Sequence, residues 1–106
     1  MKPDYMLSFY VPEDSLDSVK SALFAKGAGK IGSYDSCCWQ VKGRGQFRPL
    51  EGSVPSIGSL NQVESVTEWK VEIVLEKAIL SEVIAALKAS HPYETPAFQV
   101  IELVSV

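Results

Sequence analysis

His91 is the one histidine of the chain, and it opens the run His91-Pro92-Tyr93-Glu94-Thr95-Pro96. An imidazole with a carboxylate three residues on can ligate a divalent metal or contact a small anionic ligand as a proton acceptor. The same residue also has a structural reading: an imidazole at the C-terminal end of a helix is favoured by the negative pole there, and two prolines set the turn. Cys37 and Cys38 stand side by side. Cys38 with His91, and Cys37 as a third donor, falls short of the four ligands of a closed zinc site. A metal reading therefore requires the fold to bring the thiols to His91. The competing reading is packing, with one cysteine in the core and its neighbour at the surface or an interface. The third candidate is Gly43-Arg44-Gly45-Gln46-Phe47-Arg48-Pro49. Its glycines allow close backbone approach, and Arg44 and Arg48 have the chemistry to clamp a phosphate or carboxylate. A glycine-bulged hairpin with two solvated arginines fits the same residues.

Other chemistries lack their residues. There is no G-x-S-x-G, and a single histidine cannot supply both a base and its orienter. No P-loop or dinucleotide fingerprint is present. Gly27, Gly29 and Gly32 follow a predicted helix, the wrong polarity for anion binding at a helix N-terminus, and read as turn residues. Glu64 and Glu68 alternate with Lys70, the pattern of a solvated strand face. No catalytic set emerges.

The elements that must position these residues are legible from periodicity. Asp4 to Val11 alternates as a strand and stops at Pro12. Glu13-Asp14-Ser15 suits a helix start, and Leu16, Val19, Ala22 and Leu23 place helix one near 14–26, ended by Gly27. Ser36 to Lys42 reads as a second strand with Cys37, Trp39 and Val41 on one face. A long connection, Gly43 to Gln62, follows, longer than compact domains ordinarily use without a function. Glu64 to Leu75 is a third strand with Trp69, Val71, Ile73 and Leu75 on one face, and Trp39 and Trp69 are placed to pair across the sheet. Leu80, Val83, Ile84 and Leu87 make the stripe of helix two. Ala97 to Val104 is a last strand, apolar enough for burial on both sides. The order βαββαβ predicts an α+β, ferredoxin-like sandwich: a four-stranded antiparallel sheet with two helices on one face. Apolar residues at both strand parities predict a partner on the other face.

Length and composition bound the rest. The 106 residues are expected to form one domain. With 46% hydrophobic residues the chain can build a core without a metal or disulfide staple. A net charge of −3, with mixed signs, excludes a nucleic-acid footprint. No apolar run approaches the ~18–20 residues of a membrane span. The N-terminus has no secretory h-region, which with the unpaired cysteines predicts a cytoplasmic protein.

Four stretches together carry a resemblance: Phe9-Tyr10-Val11-Pro12, the run from Gly27 to Trp39, the run from Gly43 to Pro49, and His91 to Phe98. The chain resembles the YqfO-type domain inserted in Nif-three-like proteins, a family with a dinuclear metal centre. Its His91–Pro96 segment is also similar to the end of CutA proteins, which share the PII-like fold. The resemblance covers nearly the whole chain. It implies a PII/CutA-like fold and a homo-oligomer, a trimer by analogy. In the full-length family the metal centre belongs to a flanking core domain whose ligands are missing here. The resemblance thus implies an accessory module that binds a ligand or partner, and Arg44, Phe47, Arg48, His91, Tyr93 and Glu94 are its candidate contact residues. Two alternatives accompany it: a divalent-metal binder using His91 with Cys38, and a lid acting in trans on a Nif-three-like core protein.

Overall fold

The computed structural model describes residues 3–106. Its elements run β1 (Tyr5–Val11), α1 (Leu16–Ala25), β2 (Trp39–Phe47), β3 (Glu64–Leu75), α2 (Leu80–Ser90) and β4 (Phe98–Glu102), with a short 3₁₀ turn leading into each helix. The strands form one antiparallel sheet in the order β2-β3-β1-β4. This is the ferredoxin-like arrangement predicted above.

Alternation sets the two faces. Leu7, Phe9 and Val11 of β1 lie in register with Ile73, Val71 and Trp69 of β3. All but Trp69 are fully or almost fully buried, and they join Leu16, Val19 and Leu23 of α1 and Val83 and Leu87 of α2 in one apolar cluster. Both helices therefore cover the same sheet face. The α2 stripe is as expected: Val83 and Leu87 are buried, with Leu80 and Ile84 partly buried beside them. Ser15 precedes α1 but makes no side-chain cap. Instead, Glu13 accepts a hydrogen bond from the Trp69 indole at 3.2 Å and pairs with Lys42 at 3.6 Å, tying the helix entry to the sheet.

Several boundaries differ from the sequence expectation, each for a physical reason. The second strand runs Trp39–Phe47, not Ser36–Lys42, so Gly43 to Phe47 is paired strand and the irregular connection is 48–63. The glycines that suggested a loop are tolerated because their backbones complete the ladder with Glu68 and Val66. Cys37 and Cys38 precede the strand; Cys37 is half-buried, Cys38 is exposed, and neither is in the core. Trp39 and Trp69 do not pair, because Trp39 is opposite Glu72 and Trp69 opposite Lys42, on opposite faces. The last strand is shorter, Phe98–Glu102, and lies at the sheet edge with most of its side chains exposed. The open face is mixed rather than uniformly apolar: Trp39, Val41, Met6, Val74 and Ile101 alternate with Lys70, Glu72, Tyr10 and Gln99.

One topological feature shapes the site. β1 ends at Val11, opposite Trp69, whereas β3 begins at Glu64. Glu64–Glu68 consequently pair only with Gly43–Phe47 of β2, and this two-stranded ribbon extends past the end of the central strand.

Candidate functional site

Past the end of β1, three segments converge: the overhanging ribbon, the 48–63 connection and the turn from His91 to Ala97. They enclose a cleft of about 450 Å³, within the range of small-molecule sites. Phe47, Pro49, Leu50, Ile57, Ala97 and the rings of Tyr10 and Tyr93 supply apolar walls, and Arg48, Glu68 and Glu94 supply charge.

The turn is positioned by His91. Its Nε2 lies 2.6 Å from the Tyr10 carbonyl, and its Nδ1 accepts the Tyr93 backbone N–H at 3.1 Å. Nδ1 is thereby the acceptor, which assigns the proton to Nε2. The ring is 7% exposed. Both nitrogens are engaged, and the imidazole clamps the end of α2 to the end of β1. It also stacks obliquely on Tyr93, 4.9 Å between ring centres, and Tyr93 in turn faces Phe47 at 6.5 Å.

The long connection closes on itself through Asn61 N–H to the Pro49 carbonyl and through a turn from Leu50 to Ser53. Buried Pro49 seats it. Glu94 then latches it to the turn, its Oε1 accepting the Val54 N–H at 3.1 Å.

Glu68 was not singled out by its sequence pattern, which is that of a solvated face. Here its side chain lies across Gly45, in space that a Cβ at that position would occupy. It leans toward Tyr93. The Tyr93 hydroxyl is buried, and no described group completes a hydrogen bond to it with ordinary geometry. Burial, then the nearby Glu68 charge, push the phenol up to about 12. The signal for Glu68 was present but cryptic: a glycine at 45 in a strand whose partner carries a carboxylate.

The sign of the Tyr93 shift makes a prediction. The folded state holds the Tyr93 proton more tightly than the unfolded chain, whose tyrosines ionise near pH 10. The resulting contribution to stability is intact below about pH 10 and is lost as pH rises toward 12. In an ultraviolet phenolate titration, one of the four tyrosines should ionise near 12, and Glu68→Gln should lower that midpoint. A midpoint unmoved by Glu68→Gln would remove Glu68 from the cause.

The structure gathers four of the sequence candidates, Phe47, Arg48, Tyr93 and Glu94, around one cleft. Arg44 lies outside it, in a smaller groove lined also by Tyr10, Val41, Glu68 and Lys70. His91 is behind Tyr93, acting as a clamp. Cys38 is remote from it. Cys37 N–H bonds the Gly29 carbonyl, and Gly29 N–H bonds that of Val74, opposite Met6. Met6 is four residues from Tyr10, roughly 13 Å along a strand. Among the described residues, no group of three or more His, Cys, Asp or Glu side chains is placed to hold a metal ion.

No protein-family model matches the chain. The chain is 47% identical, over 90% of its length, to a GTP cyclohydrolase 1 type 2 homolog of Mycobacterium tuberculosis, and 41% identical, over 93%, to one of Halalkalibacterium halodurans. It spans about a quarter of each: 25% and 27%. A Bacillus cereus protein related to NIF3 superposes with a TM-score of 0.83 at 31% identity, over 99% of this chain and 27% of that one. The chain resembles a segment of Nif-three-related proteins. CutA of Xylella fastidiosa matches with a TM-score of 0.70 at 20% identity, over 99% of this chain and 86% of its own, which establishes a CutA-like fold for the chain. No helix among the described residues is long and apolar enough to cross a membrane.

Proposed function

We propose that this domain is a non-catalytic, oligomeric binding module whose ligand enters the cleft between Phe47, Tyr93 and the 48–63 connection. The observation that carries the reading is the cleft itself: aromatic walls held by the His91 clamp and the Glu94 latch, with the Glu68 carboxylate beside Tyr93. A panel of small polar aromatics, followed by thermal unfolding, tests it. A compound at 100 times its dissociation constant adds about 2.7 kcal/mol of stability, a rise of ~10 °C or more for a domain of this size. Phe47→Ala and Tyr93→Ala should erase that rise. Retention of the full rise in both variants would place binding elsewhere.

The oligomer rests on the open sheet face, where Trp39 is 59% and Ile101 50% exposed, and on the analogy with CutA. A monomeric mass by light scattering at micromolar concentration would refute it. Free Cys37 and Cys38 suit a reducing, cytoplasmic setting.

A second reading has its own observation. The 48–63 connection exposes Leu50, Val54, Ile57, Leu60 and Val63, and the relatives are about four times as long as the matched segment. The connection then docks on the core part of a Nif-three-related protein, as a lid supplied in cis or in trans. Slowed amide exchange confined to 48–63 on mixing with such a core would support this, and unchanged exchange would oppose it.

A further inference from the structure

The charged groups of the cleft are unbalanced toward acceptors, two carboxylates to one guanidinium. The Glu68 carboxylate forms no ion pair among the described residues, although Lys70 follows it on the same strand face. It is half-buried, and Gly45 leaves it the space to lie along the cleft floor. The second oxygen of Glu94 is not needed by the latch to Val54. The Tyr93 hydroxyl is buried beside Glu68 and adds no cation to offset these carboxylates. Arg48, exposed at the rim, is the cleft's one cation. Around these acceptors stand the rings of Phe47, Tyr93 and Tyr10, whose electron-rich faces attract an ammonium group and repel an anion.

We infer that the cleft recognises an organic amine: a primary ammonium head donating to Glu68, carried on an apolar or aromatic body lying against Phe47, Pro49 and Leu50. The inference rests on the cleft reading above and assigns its ligand class. A carboxylate or phosphate ligand would have to place its charge beside Glu68 and Glu94 with only the rim arginine to offset them. An ammonium replaces its lost water with charge-assisted hydrogen bonds, the stronger kind.

The test is a calorimetric and ¹⁵N NMR titration of the purified chain with three molecules sharing one body: phenethylamine, 2-phenylethanol and phenylacetate. The amine is expected to bind about tenfold tighter than the alcohol, which corresponds to ~1.4 kcal/mol, and phenylacetate weakest. The preference should shrink as salt is raised. Glu68→Gln, which keeps shape and removes charge, should abolish the preference while the alcohol still binds. Equal affinity for amine and alcohol, or tightest binding of phenylacetate with loss on Arg48→Gln, overturns the amine and leaves the cleft standing. If none of the three, and no compound of the wider panel, perturbs cleft resonances, the amine and the cleft reading both fall.

Discussion

Phe9→Ala should destabilise the fold by about 3–5 kcal/mol, the usual cost of removing a buried phenylalanine. Phe9 is fully buried in the central strand, in register with Val71 on one side and Phe98 on the other. It packs in the one apolar cluster shared by the sheet and both helices, so the cavity cannot be filled by a single local shift. A domain of this length is stable by only about 5–15 kcal/mol, so the substitution consumes a large share of that margin. In urea the midpoint should fall markedly with an unchanged slope, and the thermal midpoint should drop by ~20 °C. Phe98→Ala, at the half-buried edge where Lys88 caps the ring at 5.8 Å, should cost clearly less. Equal losses at the two positions would mean that β4 is covered more thoroughly than in the isolated chain, as assembly through the open sheet would do.

Gly29→Val should cost about 3 kcal/mol, from two sources that can be separated. Gly29 has φ +82°, where an L side chain pays ~1–2 kcal/mol. A Cβ there would also stand 2.7 Å from the Cys37 carbonyl oxygen and 3.0 Å from the Phe24 ring. The backbone cannot retreat, because Gly29 donates to Val74 at 2.8 Å and accepts from Cys37 at 2.9 Å. Gly52 provides the comparison: φ is +97°, but nothing lies within 4 Å of its would-be Cβ. Gly52→Ala should therefore show the conformational cost alone, about 1 kcal/mol, in the same denaturant experiment. If Gly29→Val were no worse than Gly52→Ala, the close approach between residues 29 and 37 would not be a constraint in solution.

These positions also indicate what the sequence conveyed and what it withheld. Periodicity identified the βαββαβ order and the α2 stripe because one-sided burial imposes a period on apolar residues. Gly27, Gly29 and Gly32 were readable as turn residues, and all three have positive φ. The end of β2 was not readable, since Gly43 and Gly45 carry no side chain to alternate, and pairing with β3 overrode their loop preference. The exposed edge position of β4 was hidden because its apolar residues follow the same pattern whether a partner covers them or not. Phe47, Arg48, Tyr93 and Glu94, named from two separate motifs, line one cleft because the fold brings those motifs together. Glu68 was not named because its placement depends on a diagonal reach over Gly45, whose trace in the sequence is the missing side chain at 45. His91 makes two backbone hydrogen bonds, which gives a lone histidine beside that turn a structural role.

If the cleft is where this chain meets its ligand, chemical-shift mapping of the ¹⁵N-labelled chain against a small-molecule panel shows it directly. Saturable shifts are expected, centred on Phe47, Arg48, Glu68, Tyr93 and Ala97 and absent in Tyr93→Ala. Saturable shifts centred instead on Trp39, Val41 and Ile101 of the open face, with the cleft resonances unmoved, would contradict it.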